Sequence, residues 1–324
     1  MSDAVGTLSM REEVLQGLSG ARKELSPKYF YDERGSELFE EITRLPEYYL
    51  TRAEEELLVR WVPGWIAELA PRTLVELGAG SSRKTRVALD ALRDGGGGGL
   101  FVPVDVSEEF LMRVAQELRA DYPSLEIRPQ ARDMTSSLVL QGDLPRPALF
   151  LLLGSTLGNF YPEQAETLLR RIRGEMVDGD RLLLGIDLRP GPGKSVDDLE
   201  AAYNDSRGVT AEFNRNILHV LNRRLRTNFR PDAFEHRARY NPEHGRMEIG
   251  LVALEDQQVR VPDGGTISVA EGEEIRTEIS SKYDRSTIEG FLERAGFRLE
   301  TWQPDEAERF ALVLAETDGE WLEA

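Results

Sequence analysis

From Thr73 onward the chain keeps one rhythm: a short apolar run, a turn, an amphipathic stretch, then another apolar run. Residues 73–77, 100–104, 125–129, 148–153 and 181–186 read as five strands, while 83–93 and 162–174 have helical spacing. The run 148–153 is apolar throughout, as in a strand buried on both faces. Parallel strands need crossover connections, so this alternation predicts an α/β fold with a doubly wound, mainly parallel sheet.

The flanks follow other rules. Residues 11–25 and 37–43 have helical patterns, and Thr51 with Glu54 reads as a capping box for a helix that Pro63 breaks or kinks. After Pro190-Gly191-Pro192-Gly193, two helices (196–204 and 210–225) precede three strands of antiparallel type (233–240, 246–254 and 275–283). A helix over 286–295, closed by Gly296, and strands at 297–303 and 309–315 then resume the first style. The predicted architecture is a Rossmann-like sheet of seven strands over 55–189 and 285–324. An inserted α+β module over 190–284 is expected to join 1–54 as a substrate-binding domain. The glycines at 95–99 read as a surface connection.

Composition narrows the chemistry. A net charge of −18 opposes nucleic acid, because phosphate neutralisation needs a basic surface. There are no cysteines, and His219, His236 and His244 lack metal-ligand spacing, so no thiolate, disulfide or metal site is expected. No apolar run is long enough to cross a membrane, and Met1–Gly6 lacks the pattern of a secretory leader. A cytoplasmic protein with a small-molecule substrate, and without an obligate protein partner, is the expectation.

The turn Val75-Glu76-Leu77-Gly78-Ala79-Gly80 follows a strand and opens a helix, where glycine lets the backbone approach a ligand. A dinucleotide fingerprint wants a small residue at the third glycine position, where this chain has Arg83. Asp105 closes the second strand, in place to accept hydrogen bonds from both hydroxyls of a ribose. Asp133 and Met134 follow the third strand, where an adenine would lie. Either aspartate alone reads equally as a solvated loop residue. With the glycine turn they point to a nucleoside cofactor.

Longer stretches add a resemblance. Tyr29-Phe30-Tyr31-Asp32, Thr43-Arg44-Leu45-Pro46-Glu47-Tyr48-Tyr49, Leu74–Gly78, Leu153-Gly154-Ser155-Thr156-Leu157-Gly158-Asn159, Gly208–Ala211, Phe213-Asn214-Arg215-Asn216 and Thr277-Glu278-Ile279-Ser280 carry it. On these motifs the chain resembles, over nearly its whole length, the histidine N-alpha-methyltransferases of ergothioneine biosynthesis. Those lie within the wider family of amino-acid N-methyltransferases. The resemblance implies S-adenosylmethionine as methyl donor, held by Gly78, Lys84, Asp105, Asp133 and Met134. It implies Tyr48, Asn159 and Tyr203 at the α-amino and carboxylate end of the amino acid, Tyr31 and Gly154 near the transferred methyl, and Glu278 and Ser280 at the imidazole, with Ile279 between them. Ile249 stands where histidine-specific members carry a methionine, which changes the shape of the side-chain pocket.

These residue types suit that chemistry. A trimethylated amine has no proton to donate, and aromatic faces stabilise such a cation by about 0.5–2 kcal/mol each. Tyr31 and Tyr48 offer rings with a polar handle, whereas Phe39 and Tyr49 read as core. Glu278 can accept from one imidazole nitrogen while Ser280, on the same strand face, reaches the other. Its alternative is an ordinary solvent-facing strand glutamate. Asn159 follows the buried fourth strand, where open α/β sheets present ligands, but asparagine beside Gly158 is also a common turn residue.

Overall fold

The computed structural model describes residues 8–95 and 98–319. The stretch examined for a leader, and Gly96 and Gly97 of the glycine run, lie outside the described residues. The chain opens with α1 (Met10–Ser19), β1 (Lys23–Glu24), α2 (Glu33–Ile42) and α3 (Tyr49–Leu69). There follow β2 (Thr73–Leu77), α4 (Arg86–Asp94), β3 (Gly99–Asp105), α5 (Glu108–Asp121), β4 (Leu125–Ile127) and β5 (Gln130–Ala131). Next come β6 (Ala148–Leu152), α6 (Pro162–Gly174), β7 (Arg181–Asp187), α7 (Val196–Ala201) and α8 (Val209–Leu225). The strands β8 (Phe234–Asn241), β9 (Arg246–Ala253), β10 (Gln257–Val261), β11 (Gly265–Val269) and β12 (Glu274–Ser281) lead to α9 (Arg285–Arg294), β13 (Phe297–Pro304) and β14 (Phe310–Thr317).

These elements form two compact units. One takes in Tyr49–Val196 and the chain from Ser280 onward; the other combines the chain up to Tyr48 with Asp197–Ile279. The expected boundaries at 54/55, 189/190 and 284/285 therefore shift. Tyr49–Glu54 belongs with the large sheet because α3 is one unbroken helix from Tyr49, and Pro63 does not end it. Residues 190–196 and 280–284 also stay with that sheet, through the Leu188–Tyr283 bridge and the Lys194 contacts described below.

The large sheet has the order β13-β14-β7-β6-β2-β3-β4, with the short β5 also paired to β3. The strands from β7 to β4 are parallel, and β13 and β14 run antiparallel to their neighbours. Val75, Val102, Phe150 and Leu184 are fully buried in its core, as the continuous apolar runs require. The third strand breaks at Pro129, which has no N–H for the ladder, and pairing resumes at Gln130. Strand order reverses at β2, whose neighbours β3 and β6 lead to opposite sides. Their carboxyl ends flank the crevice where such sheets bind ligands.

The smaller unit has a sheet of order β1-β12-β9-β8, contacted by α8 at β8 and β9. The helix expected over 11–25 ends at Ser19, followed by Gly20, and β1 pairs in parallel with β12. The hairpin β10-β11 was not among the expected strands, although Val259, Val261, Ile267 and Val269 alternate inward around Asp263-Gly264.

Candidate active site

In the larger unit the site begins at the carboxyl ends of β2, β3 and β6. Gly78 and Gly80 have φ of +71° and +50°, so the turn after β2 uses the left-handed region that glycine tolerates. A side chain at Gly80 would meet nothing within 4 Å, which leaves open room over the turn. The Gly80 N–H donates to Asp105 Oδ2 at 3.0 Å and the Ser107 N–H to Oδ1 at 2.9 Å. The carboxylate is thereby aimed, with acceptor capacity left for further donors. Met134 Cε lies 3.3 Å from where a Cβ on Gly78 would be, and Thr135 N–H donates to Asp133 Oδ1 at 2.8 Å.

The helix expected from Arg83 starts at Arg86, for a visible reason. Ser82 and Thr85 spend their hydroxyls on the buried Glu76 carboxylate, so 83–85 remain a turn. That turn carries Lys84 to Glu54, with which it forms an ion pair. Glu54 was expected as a capping residue. Instead it sits inside α3, 1% exposed, and accepts from the Gly154 N–H at 2.7 Å. A signal was present, because Glu54 falls on the helical stripe of Leu50, Ala53, Leu57 and Leu58.

Gly154 and Ser155 follow β6 with φ of +73° and +56°. The Ser155 N–H donates to the Gly185 carbonyl at 3.1 Å, and Ser155 Oγ accepts from the Asp187 N–H at 3.1 Å, which holds this turn. Asn159 ends the short helical turn Thr156–Asn159, half-buried, and its side-chain amide has no hydrogen-bond partner among the described residues. Sequence reasoning missed the group beneath. Asp187, at the end of β7, is buried between Lys194 and Lys282, each 2.7 Å away, and accepts from the Tyr49 hydroxyl at 2.8 Å. Burial pushes the Asp187 carboxyl up, but the two ammonium groups outweigh it and hold it below the usual carboxylate range. Lys282 also donates to Ser280 Oγ at 2.9 Å, so the expected imidazole ligand is oriented from this buried cluster.

In the smaller unit the aromatic residues gather. Tyr31 meets Phe39 and Phe213 edge-on, with ring centres 5.8 and 5.7 Å apart. Phe39 continues to Tyr48 at 6.4 Å, and Tyr48 to Tyr203 at 6.2 Å. Phe39 is half-buried within this wall. Asp32 caps α2 and accepts from Asn216 of α8 at 2.8 Å, which fixes the loop bearing Tyr31. Asn214 donates to the Gly250 carbonyl and accepts from Thr277 at 2.7 Å, joining α8 to β9 and β12 beside Glu278. His236 receives a hydrogen bond from Asn214 at Nδ1 and donates from Nε2 to the Tyr203 carbonyl, which makes it a neutral structural imidazole. Ile249 is buried in β9. Glu248 pairs with Arg276 at 3.0 Å, so strand alternation puts Glu278 on the Arg276 face and Ile249 on the other.

A family model described as histidine-specific methyltransferase, SAM-dependent, matches residues 10–317. The chain belongs to this family. It is 43% identical over 318 residues to a histidine N-alpha-methyltransferase of Mycobacterium tuberculosis, covering 97% of both chains. It is 42% identical to the enzyme of that name from Mycolicibacterium smegmatis, covering 95% of this chain and 94% of the other. A methyltransferase from Clostridium acetobutylicum superposes with a TM-score of 0.50 at 11% identity, over 84% of this chain and 96% of that one. That last likeness speaks for the fold.

This member of the histidine-specific methyltransferase family is an amino-acid N-methyltransferase with S-adenosylmethionine as methyl donor. The larger unit fits that donor. Open glycine backbone, the Asp105 acceptor, the Lys84 cation and the Met134 thioether match a nucleoside with an amino-acid tail. Among the described residues no cluster of potential metal ligands occurs, and no helix is long and apolar enough to cross a membrane.

Proposed function

We propose that this enzyme trimethylates the α-amino group of L-histidine to hercynine, the histidine betaine, as a step of ergothioneine biosynthesis. The observation that carries this is the family match over residues 10–317, together with 43% identity to a histidine N-alpha-methyltransferase along 97% of both chains. The donor supplies an activated methyl carbon; everything else is binding and alignment. In this reading Asp105 accepts the ribose hydroxyls, Asp133 and Met134 flank the adenine, and Gly78 lets the backbone come close. Lys84 takes the carboxylate of the tail. Asn159, Tyr48 and Tyr203 hold the α-amino and carboxylate end of histidine, with Tyr31 and Gly154 beside the transferred methyl.

The aromatic wall supports the product. A quaternary ammonium offers no N–H, so ring faces rather than a carboxylate suit it. Glu278 and Ser280 supply an acceptor and a hydroxyl for the imidazole. A site built on such hydrogen bonds rejects leucine or phenylalanine, which leave those groups unpaired. Methylation of another amino acid, tyrosine or tryptophan, is the second reading; Ile249 is its sequence clue, although strand alternation sets that residue on the face opposite Glu278.

The test incubates the protein with S-adenosylmethionine and each of the twenty amino acids, with products read by mass. Three methyl groups on histidine alone are expected. Transfer to tyrosine or tryptophan in its place selects the second reading, and transfer to none rejects both.

A further inference from the structure

Glu54 is a carboxylate on the apolar stripe of α3, and such a group is costly to bury unless every lone pair is used. Here its two oxygens serve different elements. Oε2 pairs with Lys84, on the turn after β2, while Oε1 accepts from the Gly154 N–H at the end of β6. Gly185 of β7 makes room for it, since a Cβ there would lie 1.9 Å from Oε1. Lys84 Nζ in turn lies 3.1 Å from where a Cβ on Gly154 would stand. One carboxylate thus ties the cation and the left-handed turn together at the strand-order reversal.

We propose that Glu54 is a positioning residue for the aminoacyl tail of the methyl donor. An ammonium has three donors, and pairing one with Glu54 aims the others towards the Gly154 turn for the tail carboxylate. The other oxygen, Oε1, keeps the Gly154 N–H satisfied, so the turn holds its shape as ligand enters and leaves. This rests on the donor being S-adenosylmethionine and is independent of which amino acid is methylated. Glu54→Gln is the informative change. A carboxamide has one acceptor oxygen, so its NH2 must face either the ammonium or the Gly154 N–H, donor against donor.

The test is calorimetric titration with S-adenosylhomocysteine and with 5′-methylthioadenosine, which shares the nucleoside and thioether but lacks the tail. E54Q should weaken S-adenosylhomocysteine at least tenfold and change 5′-methylthioadenosine less than twofold. Equal weakening of both ligands, or of neither, overturns the proposal, because a general packing role has no reason to single out the tail. Should E54Q fail to fold, the E54Q/K84M double variant removes both charges. It must then show the same tail-selective loss as K84M alone, and full S-adenosylhomocysteine affinity in K84M also overturns the proposal. Neither ligand carries the methyl acceptor, so an incorrect substrate assignment leaves the outcome unaffected.

Discussion

Glu76, at the end of β2, shows how much one residue type can mean in two places. Burial pushes its carboxyl up to about 7, although Thr85, Ser82 and the nearby Lys84 charge all favour ionisation. Its folded pKa is raised, so between the ordinary 4.5 and about 7 the folded protein holds more protons than the unfolded chain. Stability from this group is therefore complete at low pH and falls as pH rises through that window, by about 3 kcal/mol. His236 works in the opposite sense. Burial holds it below 6.5, so its contribution is present above 6.5 and lost as pH falls. Comparison with Glu76→Gln separates the two. Urea unfolding at pH 5 to 8 should show E76Q gaining about 3 kcal/mol on the wild type across the range. A constant difference would mean Glu76 ionises as an ordinary glutamate.

Among the elements, β7 ends on a buried carboxylate with three side-chain partners. Asp187 takes contacts from Tyr49 of α3, from Lys194 after the strand, and from Lys282 just after β12. Replacing a whole buried ion cluster by apolar groups is often neutral, whereas removing one partner leaves charge stranded, at about 3–5 kcal/mol. Asp187→Asn strands two lysines and should destabilise by that amount in urea titration. The D187N/K194M double variant should recover part of the loss; a double variant worse than D187N would mean the cluster does not act through charge. The Asp187 pKa is held down, so its stabilisation is present above the ordinary 3.8 and disappears as pH falls below it. The same cluster reaches the Ser280 hydroxyl through Lys282.

At the scale of the molecule, ligand linkage gives a direct check on what the glycine turn binds. A ligand that binds only the folded state at a hundred times its Kd adds about 2.7 kcal/mol of stability. S-adenosylhomocysteine at that ratio should raise the melting temperature by several degrees, while NAD at the same concentration should leave it unchanged. Arg83 is the reason for the contrast: its exposed side chain occupies the third glycine position and pairs with Glu55 at 3.0 Å. A shift with NAD and none with S-adenosylhomocysteine would reverse the cofactor assignment.

The sequence by itself determined the mainly parallel sheet and the glycine and aspartate positions at its strand ends. These are local matters, because apolar runs, turn residues and strand ends are written in consecutive positions. It also carried long motifs, and several prove to be joints as much as ligands: Asn214 and Asn216 lock α8 to β9, β12 and the loop of Tyr31. Only the tertiary structure decided which charged residues go inside. Glu54 looked like a cap, and nothing in the sequence singled out Lys282, until contacts far apart in sequence supplied partners that offset desolvation. The start of α4 and the extent of α3 were settled in the same way. Hydroxyls drawn to a buried carboxylate outcompete helix capping, and packing carries a helix through a proline that sequence rules read as a break or kink.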